Sequence, residues 1–382
     1  MAVYSSIEFY PPSLNALTSI ITHFGKISIL SRNVKSLQWD YKTNVENIQS
    51  GDFTDIRDAE KKPMLWKIYS FILFTWNMWK NLQKEKPALI ILYDPIPMLS
   101  YYLIRNFIGH KYLLWYHNHD VADKKTIRKY TIAWWAIHAE QNLFKYIDIF
   151  TLPAEIRKQY FPLHHLKGKY FFIPNMPAKS FYNKFYLVKS LHNLQSINLL
   201  YQGSIGDGHG LKNIIQNCIG KEVAGKKIIL TLIGWISNDY KNSLLNLAAN
   251  NQEYLFIHSL ITYAKLPLET RKHHIGLAIH EPVNLNFSTA GTASNKIYEY
   301  AALGLPIILY DNIHYRGNLS QYEWAFFTDL SEKSMSDCIE KIIANYEYLS
   351  QKAHEDFETH LNFETYFNPV IEEVMEQIKK IN

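Results

Sequence analysis

Residues 294–306, written SNKIYEYAALGLP, carry side chains whose types and spacing suit the binding of a charged ligand. Asn295 and Glu299 stand four positions apart, so a helix would place them on one face. The Glu299 carboxylate can accept two hydroxyl hydrogen bonds, as a ribose diol offers. Lys296 and the free N–H groups of the helix N-terminus attract an anion such as a diphosphate. The same letters also fit an ordinary strand–helix–strand unit whose glutamate offsets the helix dipole, and the residues alone leave both interpretations open.

The glycine-rich stretch GSIGDGHG, residues 203–210, is a second candidate site. It follows the run INLLYQ, which reads as a buried strand, and its glycines allow a backbone to approach a phosphate closely. The spacing matches neither the dinucleotide fingerprint nor the P-loop, because no Lys-Ser or Lys-Thr follows the last glycine. Taken alone, the stretch predicts either a phosphate-binding loop or a flexible turn.

Two histidines and an aspartate end the run KYLLWYHNHD: His117, His119 and Asp120. Residues at the carboxyl end of a parallel strand line the crevice in which α/β sheets bind ligands. We predict no metal here, because one short constellation without a distant third ligand is a weak metal signature. A structural histidine and a ligand-contacting histidine remain the open alternatives.

Predicted strands and helices alternate through both halves of the chain. This pattern predicts an α/β fold with two Rossmann-like, doubly wound domains facing across a cleft. We place the amino-terminal domain at 1–180, a polar linker at 181–196, the second domain at 197–365 and a last helix at 366–382. Residues 44–55 show no clear period, and no element is predicted for them.

The string SNKIYEYAALGLPII resembles the donor-site helix of GT-B glycosyltransferases, close to the family-4-like retaining enzymes that build bacterial surface polysaccharides. In that family, the glutamate matching Glu299 binds the ribose of the nucleotide-sugar. A second glutamate usually stands eight positions earlier, where this chain has Gly291. The segment IPNMP is similar to the family's link between domains, and the resemblance implies that the last helix returns to the first, acceptor-side domain.

The resemblance also implies roles for other positions. The glycine-rich loop matches the loop that holds the donor diphosphate, where Ser204 and His209 replace the usual Arg and Lys. His119, beside Asp120, matches the histidine that contacts the transferred sugar, and the base is read just after a strand, near Ser259. The residues assigned to catalysis are His119, Lys296 and Glu281, and those assigned to donor binding are Gly203, Ser204, Gly206, His209, Ser259, Asn284, Asn295 and Glu299.

Composition limits the partners. A formal charge of +5 in 382 residues permits an anionic ligand or an anionic membrane surface, but it does not point to nucleic acid. The two cysteines are too few for a disulfide framework or a zinc site, which suits a reducing cytoplasm. No apolar run approaches the length of a membrane-spanning helix. Residues 63–86 predict an aromatic helix with Trp66, Trp76 and Trp79, which either rests in a membrane interface or packs on the sheet.

We predict a glycosyltransferase of the hexosyltransferase type, acting with retention in surface polysaccharide biosynthesis. It would move a sugar from a nucleoside diphosphate-sugar to a glycan or lipid-linked acceptor, in the cytoplasm or peripherally at the inner face of the membrane. The chain has no Asp-x-Asp triplet, on which the metal-dependent glycosyltransferase fold relies, so we expect neither a metal nor a cofactor. Two alternatives stay open: a GT-B nucleotide-sugar epimerase, and a catalytically silent donor-binding subunit, which Ser204 and His209 would fit.

Overall fold

The computed structural model describes residues 1–35 and 39–381. The chain divides into two compact units, the first formed by Met1–Pro174 with Tyr366–Asn382 and the second by Asn175–Thr365. Each unit has its own sheet of seven strands. The predicted first domain and last helix include residues 36–38 and 382, which lie outside the described residues.

The sheet of the first unit is parallel throughout, in the order β3-β2-β1-β4-β5-β6-β7. Its strands are β1 (Ala2–Val3), β2 (Ile27–Val34), β3 (Val45–Thr54), β4 (Leu89–Tyr93), β5 (Leu113–His117), β6 (Ile149–Leu152) and β7 (Lys169–Phe172). All five residues of the central strand β5 are buried. Such a fully buried strand is typical of a parallel sheet covered on both faces.

Among the described residues, five α-helices connect these strands: α1 (Pro11–Ile20), α2 (Ile56–Lys61), α3 (Met64–Glu85), α4 (Pro95–Ile104) and α5 (Ile132–Leu143). The aromatic helix predicted at 63–86 is α3. Phe74, Met78 and Leu82 lie on its buried side, in the core formed with the sheet. The packed-helix interpretation therefore holds for this side of α3.

The second unit has a sheet in the order β11-β10-β8-β12-β13-β14, with β9 antiparallel to β10. Its strands are β8 (Ser196–Ser204), β9 (Glu222–Val223), β10 (Lys226–Trp235), β11 (Leu255–His258), β12 (Ile275–Ala278), β13 (Ile307–Tyr310) and β14 (Ala325–Thr328). Its helices are α6 (Lys179–Tyr182), α7 (Leu211–Cys218), α8 (Asn238–Ala248), α9 (Leu266–Thr270), α10 (Leu285–Ser288), α11 (Asn295–Ala302), α12 (Ile313–Leu319), α13 (Glu332–Ala344), α14 (Tyr346–Thr359) and the first residues of α15 (Phe363–Ile381).

The helix predicted from residues 294–306 is α11, which connects the parallel neighbours β12 and β13. It ends as predicted, because Gly304 takes a left-handed φ of 67° and donates its N–H to the carbonyl of Ala301. The N-terminus of α11 consequently lies at the carboxyl edge of the sheet, where open α/β sheets bind ligands.

The predicted α/β architecture is confirmed, and one element was missed. Residues 44–55, left without an element, form the edge strand β3, which pairs with β2 alone. Only Ser50 of its ten residues is buried. An edge strand with so little buried surface need not alternate apolar and polar residues, so the sequence carried no period to detect.

No helix within residues 1–35 and 39–381 is long and apolar enough to cross a membrane. The two cysteines, Cys218 on α7 and Cys338 on α13, are free thiols in the interior. Burial raises the pKa of Cys338 to about 11 and that of Cys218 to about 12. Both thiols are therefore protonated near neutrality.

Gly276 on β12 allows α11 to approach the sheet, because an added Cβ would stand 2.2 Å from Cδ2 of Tyr300. We expect Gly276→Ala to lower the free energy of unfolding by at least about 1–3 kcal/mol through overpacking. Gly317→Ala is the control, since no neighbouring atom lies within 4 Å of its added Cβ on α12. Urea unfolding of the full chain measures the free energy of unfolding of both variants. Equal stability of Gly276→Ala and wild type would contradict this close packing.

Candidate active site

Glu299 is a buried carboxylate on α11 that polar side chains hold in place. Gln202, near the end of β8, donates its side-chain amide to Oε2 of Glu299 at 2.5 Å. Thr270 in turn donates its hydroxyl to the side-chain carbonyl of Gln202 at 2.8 Å. The Tyr182 hydroxyl also favours the charged form of this carboxyl group. These donors stabilise a charge that is otherwise costly to bury.

Lys296 precedes Glu299 on the same helix and reaches the glycine-rich loop. Its Nζ donates to the Tyr201 hydroxyl at 3.1 Å and lies 4.2 Å from the centre of that ring. A Cβ added at Gly203 would stand 3.4 Å from Nζ, so the amine lies beside the first residue of the loop. Ser294, just before α11, buries a hydroxyl for which the described residues supply no hydrogen-bond partner. The amine, the hydroxyl and the helix N-terminus together form a position suited to an anion.

The two charged groups of α11 both titrate near neutrality. Burial raises the pKa of Glu299 to about 7, against the opposing influence of Gln202, Tyr182 and Lys296. Burial lowers the pKa of Lys296 to about 7, and the charge of Glu299 partly offsets this effect. Hydroxyl donors on the carboxylate, or an anion beside the amine, would favour the charged form of each group.

The glycine-rich loop leads from β8 to α7 and is fixed by the chain that follows β12. Glu281 accepts the N–H of Gly210 at 3.1 Å, and its own N–H donates to the carbonyl of Gly208 at 2.9 Å. Gly210 has a left-handed φ of 61° and is the residue that caps α7. The predicted catalytic residue Glu281 thus places a carboxylate at the N-terminus of α7. A carboxylate at this N-terminus opposes the binding of a second anion there.

His209 lies buried within the loop. Its Nδ1 is 3.1 Å from the carbonyl oxygen of Ile279, and its ring centre is 4.8 Å from that of Phe287. Burial, followed by the charge of Lys296, lowers the pKa of His209 to about 4. Near neutrality His209 is therefore uncharged, and this geometry favours Lys296 as the cation for a phosphate.

The other predicted donor-binding residues lie on several loops. Ser204 ends β8 and is exposed, Gly206 follows it in the loop, and Asn295 is the half-buried first residue of α11. Asn284 is exposed and caps α10 by accepting a backbone N–H at 2.9 Å. Ser259 follows β11, the edge strand two positions from β8. The structure thus brings Gly203, Lys296 and Glu299 together, while Asn284 and Ser259 belong to separate loops.

His119 follows β5 in the first unit, and side chains surround its ring. Nδ1 lies 2.9 Å from Oδ2 of Asp94, and Nε2 lies 2.9 Å from the Ser13 hydroxyl. The rings of Tyr10 and Tyr93 stack on it, with centroids at 4.5 and 5.1 Å. The imidazole is only 5% exposed, and both of its nitrogens have protein partners. A direct contact with a sugar stays a prediction for this residue.

The acidic partner of His119 is Asp94, at the end of the neighbouring strand β4, whereas its sequence neighbour Asp120 is 68% exposed and lies 3.9 Å from Arg157. Successive residues of an extended chain point to opposite sides, so a residue from the next strand is better placed to pair. His117 is buried against Thr151, and burial holds its pKa well below the usual value. Across the part of the chain that the structure describes, no group of three or more His, Cys, Asp or Glu side chains is placed to hold a metal ion.

Sequence reasoning missed Gln202, Thr270, Tyr182 and Asp94 as parts of these sites. Gln202 offered a signal, because it is a polar side chain at the end of a run predicted to be a buried strand. Asp94 offered the same signal at the end of the predicted strand LIILYD, whereas Thr270 and Tyr182 offered none, since each meets its partner only in the fold.

Solved structures share the fold over nearly the whole chain. Sucrose-phosphate synthase from Thermosynechococcus elongatus matches with a TM-score of 0.71 and 13% identity, over 100% of this chain and 99% of that one. HepE from Anabaena, in complex with UDP-glucose, matches with a TM-score of 0.65 and 10% identity, over 98% of each chain. WaaG, a glycosyltransferase involved in lipopolysaccharide biosynthesis, matches with a TM-score of 0.60 and 11% identity, over 96% of this chain and 97% of that one.

These neighbours are GT-B proteins, and this chain has the GT-B fold. No family model matches its sequence, and no curated protein does. At identities of 13% or less the likeness defines the fold alone, so function has to be argued from the site.

The paired charges predict a bell-shaped pH dependence for the binding of a nucleoside diphosphate-sugar, whose diphosphate diester does not titrate near neutrality. Affinity should fall above about pH 7 as Lys296 loses its proton, and below about pH 7 as Glu299 gains one. Lys296→Met should remove the alkaline limb and Glu299→Gln the acid limb, while His209→Gln keeps both. Calorimetry from about pH 5.5 to about pH 8.5, roughly 1.5 pH units on each side of the two pKa values, measures these limbs. An alkaline limb that survives in Lys296→Met contradicts the assignment.

His119→Ala should lower turnover more than nucleotide affinity if the ring contacts the sugar. It should also lower the free energy of unfolding by about 1–3 kcal/mol, because buried Ser13 loses its partner together with Asp94. Replacement of the exposed His165 by Ala is the control. Kinetics and urea unfolding separate the two effects. If His119→Ala loses stability but keeps normal turnover per folded molecule, the role of His119 is purely structural. A larger loss of turnover in His117→Ala than in His119→Ala would assign the sugar contact to His117.

Proposed function

We propose that the protein is a glycosyltransferase that moves a sugar from a nucleoside diphosphate-sugar to an acceptor. The observation that carries the proposal is the buried Glu299 carboxylate with Lys296 before it on α11, at the ligand-binding edge of the sheet. Glu299 accepts the ribose hydroxyls, and Lys296 faces the diphosphate. HepE, which shares the fold, has been solved with UDP-glucose and with UDP, and this supports a nucleotide-sugar donor.

The leaving diphosphate presents the main electrostatic demand of the reaction. As the bond from the sugar to the diphosphate breaks, negative charge grows on the phosphate oxygens. Lys296, the Ser294 hydroxyl and the free N–H groups of α11 are placed to stabilise that charge. We propose that this set serves in place of a metal ion, and that the sugar is transferred with retention.

The acceptor we propose is a glycan or a lipid-linked sugar used in surface polysaccharide synthesis. WaaG, which shares the fold, is a glycosyltransferase involved in lipopolysaccharide biosynthesis, and this supports the assignment. A lipid-linked acceptor is presented at a membrane, so the enzyme would work at the cytoplasmic face, where its nucleotide-sugar donor is made.

The epimerase alternative keeps one structural observation in its favour. A putative UDP-N-acetylglucosamine 2-epimerase from Listeria monocytogenes shares the fold, with a TM-score of 0.56 and 8% identity. The silent-subunit alternative draws on Ser204 and on the uncharged His209 at the positions of the usual cations. Lys296 supplies a cation for a departing diphosphate, which sugar transfer requires and a silent subunit does not, so we favour transfer over the silent subunit.

Incubation with a panel of labelled nucleoside diphosphate-sugars and candidate glycan acceptors distinguishes the three candidate functions. Transfer or slow hydrolysis indicates a transferase, an isomerised sugar indicates an epimerase, and binding without turnover indicates a silent subunit.

Glu299→Ala should weaken nucleotide binding by roughly ten- to a hundredfold, since one or two charge-assisted hydrogen bonds are lost. The exposed Glu340→Ala is the matched control. Unchanged affinity in Glu299→Ala would remove the ribose assignment.

A further inference from the structure

The positive charge of the chain is concentrated in one stretch. Residues 64–143 contain ten Lys and Arg and five Asp and Glu, a net charge of +5, which equals the net charge of the whole chain. The other 302 of the 382 residues contain equal numbers of basic and acidic side chains. This stretch includes α3, α4 and α5 of the first unit.

These three helices pack side by side, and their contact is made by Phe71, Leu99 and Ala136. The sides turned away from this contact are unusually apolar for exposed surface. Five large apolar side chains are exposed there: Leu65, Ile72, Trp76, Leu103 and Trp135. We call the surface defined by these five residues the outer face. Large exposed apolar patches on a folded unit mark a surface that binds something.

A groove of about 390 Å³ opens between α3 and the end of α4. Ile72, Trp76, Trp79, Leu103 and Phe107 contribute to its walls, and Thr75 is its one polar side chain. Of the three tryptophans of the aromatic helix, Trp76 is 57% exposed, while Trp66 and Trp79 are half-buried. The outer face is therefore made by three helices rather than by α3 alone.

A basic segment immediately precedes α5, the helix that carries Trp135 of the outer face. Lys124, Lys125, Arg128 and Lys129 are all exposed, and Tyr130 follows them with 72% of its surface exposed. Two of the five acidic residues of the stretch, Asp120 and Asp123, stand just before these four basic side chains and offset part of their charge, and the other three are engaged elsewhere. Glu140 is buried against Tyr116, Asp94 holds His119, and Glu85 binds Lys26 and Lys84.

We propose that the outer face and the basic segment 124–129 dock on an anionic phospholipid bilayer. Aromatic rings at headgroup depth, with lysine and arginine beside them, are the combination that binds such an interface. The groove has apolar walls suited to an acyl chain. As the route to a lipid-linked acceptor this docking rests on the proposed function, but binding to the bilayer itself does not.

A second copy of the chain is a less favourable occupant of the same face. A symmetric dimer built on it would bring two basic segments close together across an apolar contact. Like charges next to a desolvated interface oppose association, whereas anionic headgroups neutralise them. Charge complementarity therefore selects the lipid surface.

Sedimentation of the full chain with vesicles tests the proposal. Vesicles of phosphatidylcholine and phosphatidylglycerol in equal amounts should bind it, with binding that weakens as salt is raised, and vesicles of phosphatidylcholine alone should bind much less. Replacement of Lys124, Lys125, Arg128 and Lys129 by Gln should lower partition at least about tenfold. Trp76→Ser with Trp135→Ser should lower it as well. The control carries four Lys→Gln changes in the second unit, at Lys241, Lys265, Lys333 and Lys341, and so has the same net charge.

The control variant should bind like wild type. Equal loss in both quadruple variants, or equal binding to the two kinds of vesicle, overturns the proposal. A dimer in vesicle-free buffer that Trp76→Ser dissociates would assign the face to a second copy instead. Nucleotide binding without vesicles should be unchanged in every variant. Vesicle binding by a protein that turns over no nucleotide-sugar would sink the proposed function and leave the docking surface standing.

Discussion

A carboxylate and an amine within one turn of a short helix are the constraint around which the second unit is arranged. Each charged group is costly to remove from water, and neighbouring polar and aromatic groups stabilise its charge. Gln202 and Thr270 form the chain of hydrogen bonds that supports Glu299, and Tyr201 supports Lys296 through its hydroxyl and its ring. These partners come from β8 and α9, so the strand order of the sheet is what assembles the site.

This arrangement explains how the chain can lack the cations expected in the glycine-rich loop. His209 is buried and uncharged, and Glu281 brings a carboxylate to the N-terminus of α7. The loop is thus held firmly but is not strongly positive. The positive charge instead comes from the neighbouring helix, where Lys296 stands beside Gly203. We expect such a site to bind an anion through one amine and the backbone dipoles of α11, and to respond to pH near neutrality because the pKa values of both charged groups lie at about 7.

The sequence was most informative where a single segment decides the outcome. The fully buried strands, the helix 64–85 and the end of α11 at Gly304 follow from local pattern and glycine conformation. The edge strand β3 was not predictable, since it buries one residue and pairs on one side only. The side-chain pairings that hold the two sites in place could not be predicted either. Asp94 meets His119 because β4 and β5 are neighbours, a fact about the sheet and not about either segment.

We propose that a nucleotide binds with its ribose on Glu299 and its diphosphate on Lys296. A crystal structure of the full chain with UDP tests it most directly. We expect ribose hydroxyls within hydrogen-bond distance of the Glu299 carboxylate, phosphate oxygens on Lys296 Nζ and the first N–H groups of α11, and Glu281 still bound to Gly210. Phosphates at the N-terminus of α7 with Glu281 displaced, or a ribose far from Glu299, would contradict it.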